Sequence, residues 1–79
     1  MTREKNDQVT RALSEYMTEH GVQRVDIARH IDRSPAYVGE RLSGKRHLSL
    51  DILIGAAELS HVSTEALMIE LVARMRPSR

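Results

Sequence analysis

The stretch from Ile27 to Arg46 constrains this chain most. Ile27-Ala28 lies in one apolar run, Ser34-Pro35-Ala36-Tyr37-Val38 opens a second, and Leu42-Ser43-Gly44-Lys45-Arg46 closes it. Serine at an N-cap followed by proline at the first helical position is a strong start signal, because proline lacks only an N–H that would have no intrahelical partner. Gly44 supplies the stop. The run therefore reads as two short helices joined by a tight turn at Asp32-Arg33, followed by a basic loop. That is the layout of a helix-turn-helix.

The rest of the chain shows the same helical period and no strand-like alternation. Val9, Leu13, Tyr16 and Met17 make one apolar stripe, with Asn6 or Asp7 as cap and Gly21 as stop. Five helices are expected, at about residues 7–20, 23–31, 34–43, 49–59 and 63–76, in a single domain spanning residues 1–79. In the fourth, Ser49 is the expected cap. Leu50, Leu53, Ile54 and Ala57 read as the inner face, with Ile52 and Leu59 adding bulk. In the fifth, Ser63 is the cap, Leu67, Met68, Leu71, Val72 and Met75 follow at helical spacing, and Pro77 ends regular structure. Phe and Trp are absent, so the core rests on Leu, Ile, Val, Met and Ala, which suits packed helices. A 79-residue chain has a marginal core and often gains stability by dimerising. Helix 5 is apolar around much of its circumference. One side is expected on helix 1 and another, through Ile69, Val72 and Met75, at a two-fold interface; burial of both sides within a monomer is the alternative.

Several function classes are set aside at this stage. Cysteine is absent, which excludes disulfides, thiolate zinc sites and thiol nucleophiles. The spacing of His20, His30, His47 and His61 fits no metal motif, and no Ser/His/Asp set or glycine-rich phosphate loop is visible. Neither metal, cofactor nor enzymatic activity is therefore expected. The polar N-terminus has no signal-peptide pattern and no apolar stretch is long enough for a membrane span, so a cytoplasmic location is expected.

The net charge of +1 hides an asymmetry. Residues 24–46 hold six basic and three acidic side chains, a local charge of +3. Residues 48–71 hold four acidic side chains and no Lys or Arg, a local charge of −4. Arg74, Arg76 and Arg79 add positive charge at the end. A footprint on DNA needs such a distribution, although an ordinary solvated surface can also produce one.

In the order of these segments the chain resembles the lambda-repressor/Cro-type (XRE) helix-turn-helix family. The resemblance rests on Val25-Asp26-Ile27-Ala28, a turn, Ser34-Pro35-Ala36-Tyr37-Val38 and Leu42-Ser43-Gly44-Lys45-Arg46. Leu48-Ser49-Leu50-Asp51-Ile52-Leu53 and Ala56-Ala57-Glu58-Leu59 then match the family's fourth helix. The resemblance implies an all-α, five-helix lambda-repressor-like domain that binds a pseudo-palindromic operator as a dimer and regulates transcription, commonly in phages and bacteria. Asp32 stands where the family usually has glycine, so it has to carry a left-handed backbone. Leu42 stands where many members have glutamate, and Arg41 at a position that is often apolar.

By the same resemblance, Pro35, Ala36 and Glu40 fall at the main base-facing positions, flanked by Tyr37, Gly39 and Arg41. Ala36 can touch a thymine methyl group, and Glu40 can accept from cytosine N4 or exclude wrong sequences. Arg41 can read guanine, contact phosphate, or pair with Glu40 or Glu58. Tyr37 can face the DNA or pack on helix 2. Phosphate contacts are expected from Gln23, Arg24 and the free N–H groups at the start of helix 2, and from Arg33, Ser34, Ser43, Lys45, Arg46 and His47. The expected partners are double-stranded DNA and a second copy of the chain. A competing reading is a protein-interaction module on the same fold, such as an antitoxin or antirepressor. RNA is disfavoured because Tyr37 is the only stacking aromatic in the motif.

Overall fold

Each apolar run with a capping residue before it becomes a helix, in the expected order. A computed structural model describes residues 2–75. It contains α1 (Arg3–His20), α2 (Arg24–His30), α3 (Pro35–Leu42), α4 (Leu50–Leu59) and α5 (Thr64–Met75), with no strand among the described residues. Arg76, Pro77 and Arg79, and with them the expected end of the fifth helix, lie outside the described residues.

The starts of α2 to α5 and the ends of α2 to α4 fall within a residue or two of expectation because their signals are local. The Ser34 hydroxyl accepts the Tyr37 N–H at 3.1 Å with Pro35 in the first turn. Ser63 accepts the Ala66 N–H at 3.0 Å. Gly21 ends α1 in the left-handed region at φ 69°, and Gly44 follows α3 at φ 86°. Asp32 carries the strained turn at φ 58°, as its position demands. Ser49, by contrast, does not cap α4 through its side chain; its hydroxyl donates to the Asp51 carboxylate.

α1 begins a turn earlier than the sequence suggests. Thr2 is the cap, its hydroxyl accepting the Lys5 N–H at 3.1 Å. Asn6 is therefore inside the helix and buried, 1% exposed.

The core gathers Leu13, Tyr16 and Met17 of α1, Ile27 and Ala28 of α2, Val38 of α3, Ile52, Ala56 and Ala57 of α4, and Leu67 and Leu71 of α5. Each fully buried Leu, Ile or Val contributes about 1.5–3 kcal/mol against leaving it in water. α4 is turned partway from expectation: Ala57 is buried and Leu53 packs on the core as expected, but Gly55 and Ala56 face inward with Ile52, while Leu50 is 60% exposed and Ile54 partly so. The cause is steric. A β-carbon on Gly55 would lie 2.8 Å from Ile31 Cγ2 and 3.4 Å from Ile27 Cγ2, so α2 and α4 meet where α4 has no side chain. α5 turns 103° from α4 and lies on α1 and α4 through Leu67 and Leu71.

Arg74 fastens the other side of α5. Its guanidinium donates to both Glu19 oxygens at 2.8 and 2.6 Å and to Glu70 at 3.0 Å, with Glu15 at 3.9 Å. The hydrogen bond from Arg74 is the main cause that holds the Glu19 carboxyl below its ordinary value. Arg74 is thus an internal tie, not part of a free positive tail.

Candidate nucleic-acid interface

α2 and α3 pack through Ile27, Ala28 and Val38, all nearly or fully buried, and this fixes which side of α3 is left outside. The turn is closed by Arg33 N–H donating to the Ala28 carbonyl at 2.9 Å. Ser34, Pro35 and Ala36 are exposed at the start of α3, so the positions expected to face bases at that end are open.

The remaining expected base readers are engaged within the protein. The Tyr37 hydroxyl donates toward the Asp51 carboxylate at 3.1 Å and lies 3.2 Å from Ser49 Oγ, so this side chain reaches the start of α4. Two guanidinium groups stand against the ring, Arg41 at 3.8 Å and Arg33 at 4.6 Å from its centre. Arg41 also donates to the Tyr37 carbonyl at 3.3 Å, and Arg33 pairs with Asp51 at 3.6 Å. Burial pushes the Asp51 carboxyl up, but hydrogen bonds from Ser49, Tyr37 and the Ile52 N–H, with the Arg33 charge, bring it net below its ordinary value. Arg41 pairs with neither Glu40 nor Glu58. Glu40 instead faces Arg46 at 3.5 Å, and Glu58 bonds His30 at 2.7 Å.

Gly39 lines a shallow cleft with Gln23, Arg24, Val25, Leu42 and Ser43, and the Arg24 side chain lies over it. A β-carbon there would lie 3.2 Å from Arg24 Nη1 and 3.4 Å from Arg24 Cδ, so the glycine makes room for the Arg24 side chain to lie across α3. Gln23 and Arg24 are exposed, but the Gln23 N–H already donates to Asp26 Oδ2 at 2.9 Å. The start of α2 therefore offers fewer free N–H groups than expected. Ser43, Lys45, Arg46 and His47 are exposed beyond α3, with the Ser43 hydroxyl donating to the Glu40 carbonyl at 3.1 Å.

Two contributions escaped sequence reasoning. The first is Asn6, whose Oδ1 accepts the Leu48 N–H at 2.9 Å and whose Nδ2 lies 3.5 Å from the Arg46 carbonyl. It pins the basic loop to α1. The second is the basic side of α1: Arg3 stands at one cleft with Arg41, Lys45, Arg46 and His47, and with Arg11 at an adjoining one beside Ser43 and Lys45. Placing the α1 cap at Thr2 would have brought both into view. No group of side chains among the described residues could hold a metal ion. No single helix among them is long and apolar enough to cross a membrane.

At the dimer positions, Ile69 is 71% exposed and Val72 51%, while Met75 is half-buried against the core. Burial of both sides of α5 within one chain is therefore not what the fold does.

No family model and no curated protein matches this chain in sequence. Among solved structures, two crystal structures of the clp gene regulator ClgR from Corynebacterium glutamicum are similar to it. One superposes with a TM-score of 0.69 at 23% identity, covering 89% of this chain and 74% of that one. The other gives 0.68 at 22% identity, covering 92% and 95%. The chain shares the all-α, five-helix fold of that regulator.

Proposed function

We propose that this protein is a sequence-specific, double-stranded-DNA-binding transcription regulator of the lambda-repressor/Cro type, with no catalytic role. It occupies a pseudo-palindromic operator as a homodimer and represses by occupancy. α3 of each subunit enters successive major grooves about 34 Å apart. The observation that carries this reading is the open start of α3, Ser34 to Ala36, flanked by the exposed cations Arg24, Arg33, Lys45 and Arg46. The fold shared with a clp gene regulator supports it. Ile69 and Val72, exposed on α5, are the proposed two-fold contact, with Met75 at its margin. The proposed site of action is the bacterial or phage-infected cytoplasm.

Duplexes selected from a random pool and titrated across a salt series test the reading. Affinity should fall steeply with salt, and Lys45→Ala should weaken every sequence alike and lower the log–log slope by about 0.9. Arg41→Ala should change sequence preference if the guanidinium leaves Tyr37 to meet a base. Salt-insensitive or absent duplex binding overturns the reading. The exposed apolar strip of α5, which also includes Met68, favours a second reading as a protein-interaction module of the antitoxin or antirepressor kind. That reading requires a tight hetero-partner and little affinity for DNA.

A further inference from the structure

We propose that the first turn of α1 forms the second wall of a phosphate-binding cleft, in which Arg3 takes a backbone phosphate of the duplex alongside the loop 45–47. This rests on the DNA-binding reading and extends the contact beyond the helix-turn-helix. The cleft holds about 430 Å³ and places Arg3 opposite Arg41, Lys45, Arg46 and His47. Among the described residues, no carboxylate lies within ion-pair distance of Arg3, Arg41 or Lys45, whereas Arg46 has Glu40 at 3.5 Å. Like charges gathered this way repel one another, and an anion in the cleft removes that repulsion.

The two walls are one unit. Asn6, three residues after Arg3, is buried and holds the loop backbone at Leu48 and Arg46. Gly44 comes so close to α1 that a β-carbon there would lie 2.9 Å from Asp7 Oδ1. Asp7 sits on the adjoining side with Thr10 and Arg11 and does not line the cleft itself, and Glu40 reaches it only through its pair with Arg46. These contacts fix the backbone segments that carry Arg3 and Lys45 relative to each other before any ligand arrives. A contact of this kind positions the protein and carries no sequence information.

The test compares wild type, Arg3→Gln and Arg3→Lys by fluorescence anisotropy on a selected duplex and a scrambled one, between 50 and 200 mM salt. Arg3 is exposed, so both variants should fold as the wild type does. Arg3→Gln should lower the slope of log affinity on log salt by about 0.9 and weaken both duplexes equally, by about eightfold at 0.1 M salt. Arg3→Lys should keep the slope. An unchanged slope in Arg3→Gln while the wild type binds DNA overturns this inference alone. A wild type without salt-sensitive binding overturns the DNA-binding reading, and this one falls with it. Chemical-shift changes at the loop amides with inorganic phosphate, combined with an unchanged duplex slope, would make the cleft a small-anion site and also overturn the proposal.

Discussion

Asn6 offers the sharpest test of how this small fold is held, because one side chain joins α1 to the loop after α3. It is 1% exposed, and its Oδ1 accepts the Leu48 N–H at 2.9 Å. Its second contact, Nδ2 to the Arg46 carbonyl at 3.5 Å, is long enough to contribute little. Asn6→Ala removes the acceptor and leaves the Leu48 N–H partly buried with no partner, which costs about 1–3 kcal/mol. Leu48 is only half-buried, so water relieves part of that, and about 2 kcal/mol is expected. A domain of this size holds roughly 4–12 kcal/mol in total, so the loss is a large share. At about 4–8 °C per kcal/mol the melting temperature should drop by about 8–16 °C. Urea unfolding should show a lower midpoint at unchanged slope, since the surface exposed on unfolding stays the same.

Asn6→Asp separates the hydrogen bond from mere packing. A protonated carboxyl can accept from Leu48 N–H and donate to the Arg46 carbonyl, as the amide does. Burial raises its folded-state pKa above the unfolded value. Its stabilising contribution is then complete below the unfolded pKa and lost as pH rises through the folded one. This variant should therefore approach wild-type stability in mild acid and fall behind near neutrality, read as melting temperature against pH. A loss below about 0.5 kcal/mol in Asn6→Ala, or a pH-independent Asn6→Asp, would refute the claim that this bond holds the loop.

Gly55→Ala should destabilise by about 1 kcal/mol in urea: alanine gains about 1 kcal/mol of helix propensity, but overpacking against Ile31 costs about 1–3. A more stable variant would show that α2 and α4 can separate freely. Glu19 has a depressed folded pKa, caused first by its hydrogen bond from Arg74, so its contribution is present above the unfolded value and is lost as pH falls below the ordinary carboxylate range. Arg74→Ala should flatten that limb of the melting-temperature profile, and an unchanged acid limb would refute the tie.

The fold was legible wherever a signal is local. Ser34-Pro35 and Gly44 bracket α3 within a residue of its observed ends, and Asp32 takes the left-handed conformation its place in the turn requires. The inner face of α4 was legible only in part, at Leu53 and Ala57, for a physical reason. Leu50–Leu59 is apolar almost all round, so residues 50, 53, 54 and 57 make as good a helical face as 52, 55 and 56. Choosing the bulkier side chains was the wrong arbiter. Close approach to α2 needs the face with the least side chain, and Gly55 identifies it only once Ile31 is placed beside it. α1 failed differently: Asn6 looks like a cap by type, but an amide that can both accept and donate was needed inside, 42 residues from the loop N–H it serves.

The candidate site shows the same division. That α3 presents an outer side follows from Val38 and Leu42. What that side offers depends on neighbours distant in sequence: Asp51 holds Tyr37, Tyr37 carries Arg41, Arg46 faces Glu40, and Arg24 covers Gly39. Pro35 and Ala36 have no polar side-chain group to offer. On the DNA-binding reading, polar contact with a base must therefore release Glu40 or Arg41 from an internal partner, or leave discrimination to the shape of the duplex. Releasing Arg41 gives up both its stack on Tyr37 and a hydrogen bond to the Tyr37 carbonyl, whereas Glu40 gives up only an ion pair with an arginine whose side chain is 66% exposed. Exposed pairs are worth at most about 1 kcal/mol. Glu40 is thus the residue of α3 that can turn to a base at least cost.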